Sequence, residues 1–275
     1  MTTKKDENLF SRVISRFARE INLKLSGQVS AEEVKSFLEK LHPINPGMEL
    51  IRIGPKKDGG YLLPDDLEGI TACFSPGVDV ESRFELELAE KGMEIFMADF
   101  SIEKPMVDHP KFHFTKKFLG ADDMGNYMTL DTWSTQELSS DDHSDLLLQM
   151  DIEGFEYDSL LALSRPLLNR CRIIVIEFHQ LDRMFDRYFF NQINRIFRKL
   201  LANHTVVHLH PNNYVKPLKI KGIEIPDCME MTLLRNDRFT STEYFTQFPH
   251  PLDEKCSNKE DTVLPKLWFR QKKRD

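Results

Sequence analysis

The stretch LLLQMDIEGFEYDSL, residues 146–160, concentrates side chains that do chemistry. An apolar run climbs to Asp151, acidic residues and a glycine follow, and an amphipathic segment then begins. A buried parallel strand that closes on a carboxylate and turns into a helix has this pattern. Ligands of open α/β sheets bind outside the carboxyl ends of the strands, so Asp151 is expected at the mouth of a site. The plainer alternative is that Asp151 and Glu153 cap the following helix. Two later runs repeat the pattern. Period-two alternation puts Glu177 and His179 on one face of RIIVIEFHQL, and His208 and His210 on one face of HTVVHLHPNNY. Three successive strands would then deliver Asp151, Glu177 or His179, and His210 to one rim. A single histidine is more often a hydrogen-bonded core or turn residue, but four polar residues at strand ends suggest a site. Asp151, His179 and His210 are the expected catalytic residues, with a histidine as general base, because neutral imidazole is poised for that near pH 7. Glu153, Glu177, Asn212 and Asn213 are expected to contact substrate. Imidazole and carboxylate together would also suit manganese, iron or zinc, with Asp151, His179 and His210 as ligands.

The cofactor end is read from TACFSPGVDVESRFELELA, residues 71–89, where a strand meets a Pro76-Gly77 turn and a helix from Glu81. The loop holds one glycine and lacks the GxGxxG fingerprint, and Asp79, Glu81 and Glu85 would repel phosphate. The next strand, EIFMADF, carries Asp99, about 20 residues beyond the turn, where a carboxylate typically accepts hydrogen bonds from ribose hydroxyls. A ribose holder, carboxylates and no phosphate cradle together suggest S-adenosylmethionine (SAM), whose sulfonium and ammonium are cationic. The expected contacts are Ser75, Gly77, Glu81, Asp99, Asp122 and Asp151. Asp122 lies in a Gly120–Asp123 loop placed near an adenine, although such clusters are commonly plain turns. In-line methyl transfer from a sulfonium needs no Lewis acid, so a divalent metal is left open but not favoured.

The elements that must position these residues alternate along the chain. Strands are expected over 71–75, 94–99, 112–117, 146–150, 172–178, 205–209 and 229–234, with helices over 81–91, 155–163 and 188–203. This predicts an α/β fold, a seven-stranded, mainly parallel Rossmann-like sheet with helices on both faces. Ahead of it, residues 7–25 and 30–41 have helical spacing, the second opening on a Ser30/Glu33 capping box. Residues 1–44 therefore read as a helical N-terminal extension that packs on the main domain or a second subunit, leaving open a homo-oligomer. Residues 45–275 read as the main domain, after the Asn45-Pro46-Gly47 break.

Composition narrows the partners. A net charge of −7 argues against a nucleic-acid binder, and no apolar run approaches the ~18 residues of a membrane span. Cys73, Cys171, Cys228 and Cys256 form no CxxC pair, three of them within or beside apolar runs, which fits a reducing, cytoplasmic setting.

The motifs DGGYLLPDDL (58–67), CFSPGVDVESRFE (73–85), MADFS (97–101), VIEFHQL (175–181), HLHPNNY (208–214) and CMEMTLLRND (228–237), with DIEGFE at their centre, resemble the FkbM-type family of SAM-dependent methyltransferases. The resemblance covers roughly residues 48–240. It implies a class I sheet whose last strand is antiparallel, with Gly77 and Glu81 at the cofactor turn, Asp99 at the ribose, and Asp151 and Glu153 facing methyl transfer. It further implies an O-methyltransferase acting on a hydroxyl of a sugar, glycan or related small molecule. SPGVDVES departs from the family's glycine-rich first motif, and a non-catalytic partner subunit that keeps the fold is the competing expectation.

Overall fold

The computed structural model of the protein describes residues 28–78 and 81–272, so the helix expected over 7–25 lies outside the described residues. In chain order the elements are α1 (Ala31–Leu38), β1 (Leu50–Ile53), β2 (Tyr61–Pro64), β3 (Ile70–Pro76), α2 (Arg83–Glu90), β4 (Glu94–Ala98), β5 (Phe112–Thr115), β6 (Phe118–Leu119) and β7 (Tyr127–Met128). There follow α3 (Leu130–Glu137), β8 (Asp145–Met150), α4 (Glu156–Ala162), α5 (Arg165–Arg170), β9 (Cys171–Phe178), α6 (Arg187–Leu200), β10 (His204–Pro211), β11 (Leu218–Ile220), β12 (Ile223–Ile225) and β13 (Met229–Arg235).

Seven strands form one sheet in the order β10-β13-β9-β8-β3-β4-β5. The pairings from β9 to β5 are parallel, whereas β13 runs against both its neighbours. The sheet is therefore mixed, which corrects the expectation of a mainly parallel one. The physical reason lies in the connections. A helix follows β3, β8 and β9 and carries the chain back for a parallel strand, but between β10 and β13 there is only the small β11–β12 hairpin. Without a crossover the returning strand pairs antiparallel.

Alternation along the central strands feeds two cores. Ala72, Phe74, Leu146, Leu148, Ile174 and Ile176 face the helices α3, α4 and α6, where Trp133, Tyr157 and Phe197 fill the layer. Cys73, Leu147, Ile173 and Val175 face the other way, onto α2 and the β1–β2 hairpin through Phe84, Leu88 and Leu63. That hairpin, missed from sequence, covers the sheet where a second large helix was not available. Helix α1 starts on the anticipated capping box and buries Val34, Phe37 and Leu38. Phe37 stands edge-on to Phe190 and Phe197 of α6, and Arg187 forms an ion pair with Glu33. Among the described residues, no helix is long and apolar enough to cross a membrane.

Candidate active site

The chain reverses direction across the sheet between β3 and β8, because the strands that follow β3 add on one side and β8 adds on the other. Such a switch point opens a crevice at the carboxyl ends of the strands. A cavity of about 460 Å³ lies there, lined by the β3–α2 turn at Gly77, Val78 and Glu81, by Asp99 beyond β4, and by Asp151, Ile152 and Glu153 beyond β8. Phe118, Tyr127 and Phe155 give it an aromatic wall, with Tyr127 and Phe155 6.0 Å apart between ring centroids. A second cavity of about 260 Å³ shares Asp58, Asp151 and Glu153 with the first, and continues to Glu177, His179, Asn212, Tyr214, Asp227 and Cys228.

Gly77 explains why the turn of the first cavity has the sequence it has. Its φ is +87°, and a Cβ there would stand 1.6 Å from the carbonyl oxygen of Asp151. Only glycine lets the two strand ends approach this closely. Asp99 caps its own turn, its Oδ1 accepting from Ser101 N and Ser101 Oγ, both at 2.6 Å, and it borders the cavity as expected. The floor is a buried polar chain of Glu85, Gln149 and Tyr61, with Ser75 behind it. Ser75 Oγ lies 2.6 Å from Glu85 Oε1 and 2.7 Å from Gln149 Oε1, and Gln149 Nε2 donates to Tyr61 Oη. Burial pushes the Glu85 carboxyl up to about 7, so it holds a proton over much of the neutral range.

The DIEG turn is shaped by Glu156. This fully buried carboxylate accepts from Ile152 N and Gly154 N, both at 3.1 Å, and from His179 Nδ1 at 3.0 Å. Glu153 takes the left-handed conformation at φ +55°. Neither Asp151 nor Glu153 caps α4, so that alternative does not hold. His179 Nε2 faces Asp151 at 3.8 Å and Glu153 at 3.6 Å. Desolvation acts against its charge, but the Glu156 hydrogen bond and the surrounding carboxylates outweigh it, and the imidazole is pushed up to about 9. At neutral pH His179 is an imidazolium that donates, not the free base anticipated from sequence. Burial and the Glu177 carboxylate both push Asp151 well up, and burial does the same to Glu177. Two buried carboxyls this close favour holding a proton.

The expected trio is thus divided. Asp151 and His179 meet, but His210 lines neither cavity; it lies one strand further, between Glu230 at 3.3 Å and Asp261 at 3.9 Å. The intervening β13 explains the displacement, since it separates β10 from β9, the strands expected to deliver their ends to one rim. Among the described residues three sets could hold an ion, Asp151/Glu156/His179, Glu177/His179/Cys228 and His210/Glu230/Cys256, and none of them is the expected Asp151/His179/His210. Asn212 borders the second cavity and donates to Glu177 Oε1 at 2.8 Å. Asn213 does not, because its amide is used to hold the C-terminal segment through Ser257 and Lys259. Ser75 lies below the first cavity and not on it. Asp122 is an exposed turn residue whose Oδ1 accepts from Met124 N, and the wall it was expected to form is made by Phe118 and Tyr127. Asp58, Tyr61, Glu85, Gln149 and Glu156 were missed. Glu156 had a signal in the D-x-E-G-x-E spacing; Asp58 and Tyr61 had only the DGGY turn.

Against this geometry, residues 126–203 match the family model described as Methyltransferase FkbM domain. The match spans the strands that carry Asp151, Glu177 and His179, and it agrees with the resemblance carried by the motifs. No curated protein matches the chain. Among solved structures the chain is similar to magnesium protoporphyrin IX methyltransferase from Synechocystis PCC 6803 with bound SAM. The identity is 13%, covering 80% of this chain and 91% of that one at a TM-score of 0.32. The same enzyme with bound SAH gives 12%, 81%, 94% and 0.31.

Proposed function

We propose that the protein is a SAM-dependent O-methyltransferase whose acceptor is a hydroxyl of a sugar, glycan or related biosynthetic intermediate. The observation that carries this reading is the joining of two unlike cavities along a shared wall of Asp58, Asp151 and Glu153. The larger offers a carboxylate at the expected ribose position, an aromatic wall for a base, and no Lys or Arg for phosphate among its lining residues. This suits a cationic, phosphate-free nucleoside. The smaller presents Asp58, Asp151, Glu153, Glu177 and Asp227, which accept hydrogen bonds. A ligand rich in hydroxyl donors fits such walls.

In methyl transfer the carbon–sulfur bond of the sulfonium breaks as the hydroxyl oxygen bonds to the methyl carbon in line with it. The hydroxyl proton goes to the Asp151–Glu177 carboxyl pair, which shares one proton and leaves one carboxylate, Asp151 at the cavity junction, to accept the second. His179, held by Glu156, orients Asp151 and offsets its charge. Most of the barrier reduction is then alignment of oxygen and methyl. The test is release of SAH from SAM in the presence of a panel of hydroxylated acceptors. Turnover that vanishes in Asp151→Asn, with SAM still bound, supports the reading. SAM binding with no acceptor methylated favours the non-catalytic partner.

A further inference from the structure

Behind the acceptor cavity, the register across β10, β13 and β9 sets His210 beside Glu230 and Glu230 beside Glu177. From the C-terminal segment, Cys256 reaches the same point, its Sγ 3.2 Å from Glu230 Oε1. His210 Nδ1 lies 3.3 Å from Glu230 Oε2, and one ligand atom from each of the three residues falls within 4.8 Å of the others. All three are buried, at 2%, 6% and 4% exposure. We propose that His210, Glu230 and Cys256 bind a divalent cation of the zinc class, which fastens the C-terminal segment to the sheet behind the acceptor cavity.

The donor chemistry and the geometry agree. Imidazole, carboxylate and thiolate are the ligands zinc takes, with bonds of about 2.0–2.3 Å, and a tetrahedron of such bonds has edges of roughly 3.3–3.8 Å. Glu230 meets His210 at 3.3 Å through Oε2 and Cys256 at 3.2 Å through Oε1, close to that size, and the three ligand atoms lie within 4.8 Å of one another, so small side-chain shifts would close them on one ion. Charge leaves room for the same ion. Among the described residues Glu230 has no Lys or Arg hydrogen-bond or ion-pair partner; its basic partner is the His210 ring at 3.3 Å, and Glu177 stands next to it in the ladder. Two neighbouring buried carboxyls that face one imidazole can accommodate a further cation. His210 Nε2 is buried without a hydrogen-bond partner, 3.9 Å from Asp261 Oδ1. Metal on Nδ1 would fix the ring as the Nε2–H tautomer and aim that donor at Asp261, the carboxylate that orients a metal-bound histidine.

The consequence reaches the acceptor cavity. The segment that carries Cys256 also receives Asn213 and, through Lys259 Nζ, the carbonyl of Tyr214. Tyr214 Oη donates to Asp58, which lines both cavities. An ion at His210, Glu230 and Cys256 would therefore hold the cavity wall in place without entering it.

Cobalt substitution of the full chain, stripped of metal and kept reduced, reads this out without any methyl acceptor. The wild type is expected to take up one Co²⁺ with a thiolate-to-cobalt charge-transfer band in the near ultraviolet. Cys256→Ser, folded by circular dichroism, should lose the band, and Cys228→Ser should keep it. Zinc should raise the melting temperature of the wild type by about 5 °C and leave that of Cys256→Ser unchanged. A folded wild type that binds no cobalt overturns the proposal and makes the triad a hydrogen-bonded core network. A band that survives Cys256→Ser and disappears in Cys228→Ser overturns it too, placing the ion in the acceptor cavity.

Discussion

The two cavities share a wall at Asp151 and are built on opposite principles. The cofactor cavity depends on backbone, on a turn glycine that lets β3 and β8 close together and on aromatic surface beyond β5. The acceptor cavity depends on charge, with carboxylates held apart or together by His179, Glu156 and Asn212. A backbone-built turn tolerates almost no added atom, whatever the pH. A charge-built site tolerates shape changes and responds to every proton. On the proposed reading the contrast divides specificity: the first cavity would fix one ligand and the second a class of hydroxylated ones.

The comparison breaks most sharply at Gly77. Gly77→Ala adds a methyl where the Asp151 carbonyl already stands, at a positive φ. SAM affinity is expected to fall by roughly 100-fold or more, with a lowered melting temperature, both read by titration and thermal melting. Asp151→Asn should do the converse, lowering turnover by about 10²–10⁴-fold while SAM affinity stays within a few-fold of wild type. If both variants lost cofactor affinity equally, the division of labour between the cavities would be wrong.

Proton linkage separates the two regions by pH window. Glu85, under the cofactor cavity, is raised from 4.5 to about 7, so its contribution to stability is complete below pH 4.5 and is lost as pH rises through 7. His179, in the acceptor cavity, is raised from 6.5 to about 9, and its contribution is complete below pH 6.5 and lost as pH rises through 9. Denaturant unfolding should therefore show Glu85→Gln gaining on the wild type between pH 5 and 7, by on the order of 1–3 kcal/mol. His179→Gln should lose a similar amount at pH 6.5 and recover it by about pH 9.5. Coincident windows for the two variants would deny that the groups answer to different surroundings.

The same contrast governs what could be read from the sequence. The strand ends were legible, because an apolar run that stops on Asp99, Asp151 or Glu177 announces its register by period two. The seven strands and the capped α1 followed from patterning of this kind. What patterning could not carry was lateral order. The placement of β13 between β9 and β10 depends on the missing crossover helix, and it removed His210 from the site. Nor could it carry protonation, since the role of His179 turns on Glu156, a buried carboxylate that reads in sequence as an ordinary first-turn glutamate of α4. Asn213 and Asp122 look like ligand contacts in composition and are turn and tether residues in three dimensions.

The central claim is that the backbone-built cavity holds SAM through Asp99 at its rim. Calorimetric titration of the wild type and Asp99→Ala with SAM, SAH and NAD tests it most directly. The account predicts that SAM and SAH bind the wild type and NAD does not. It also predicts that Asp99→Ala binds SAM roughly 10- to 150-fold more weakly, the loss of a hydrogen bond to a charged acceptor worth about 1.5–3 kcal/mol. An Asp99→Ala variant that binds SAM as the wild type does, or a wild type that binds NAD in place of SAM, would contradict it.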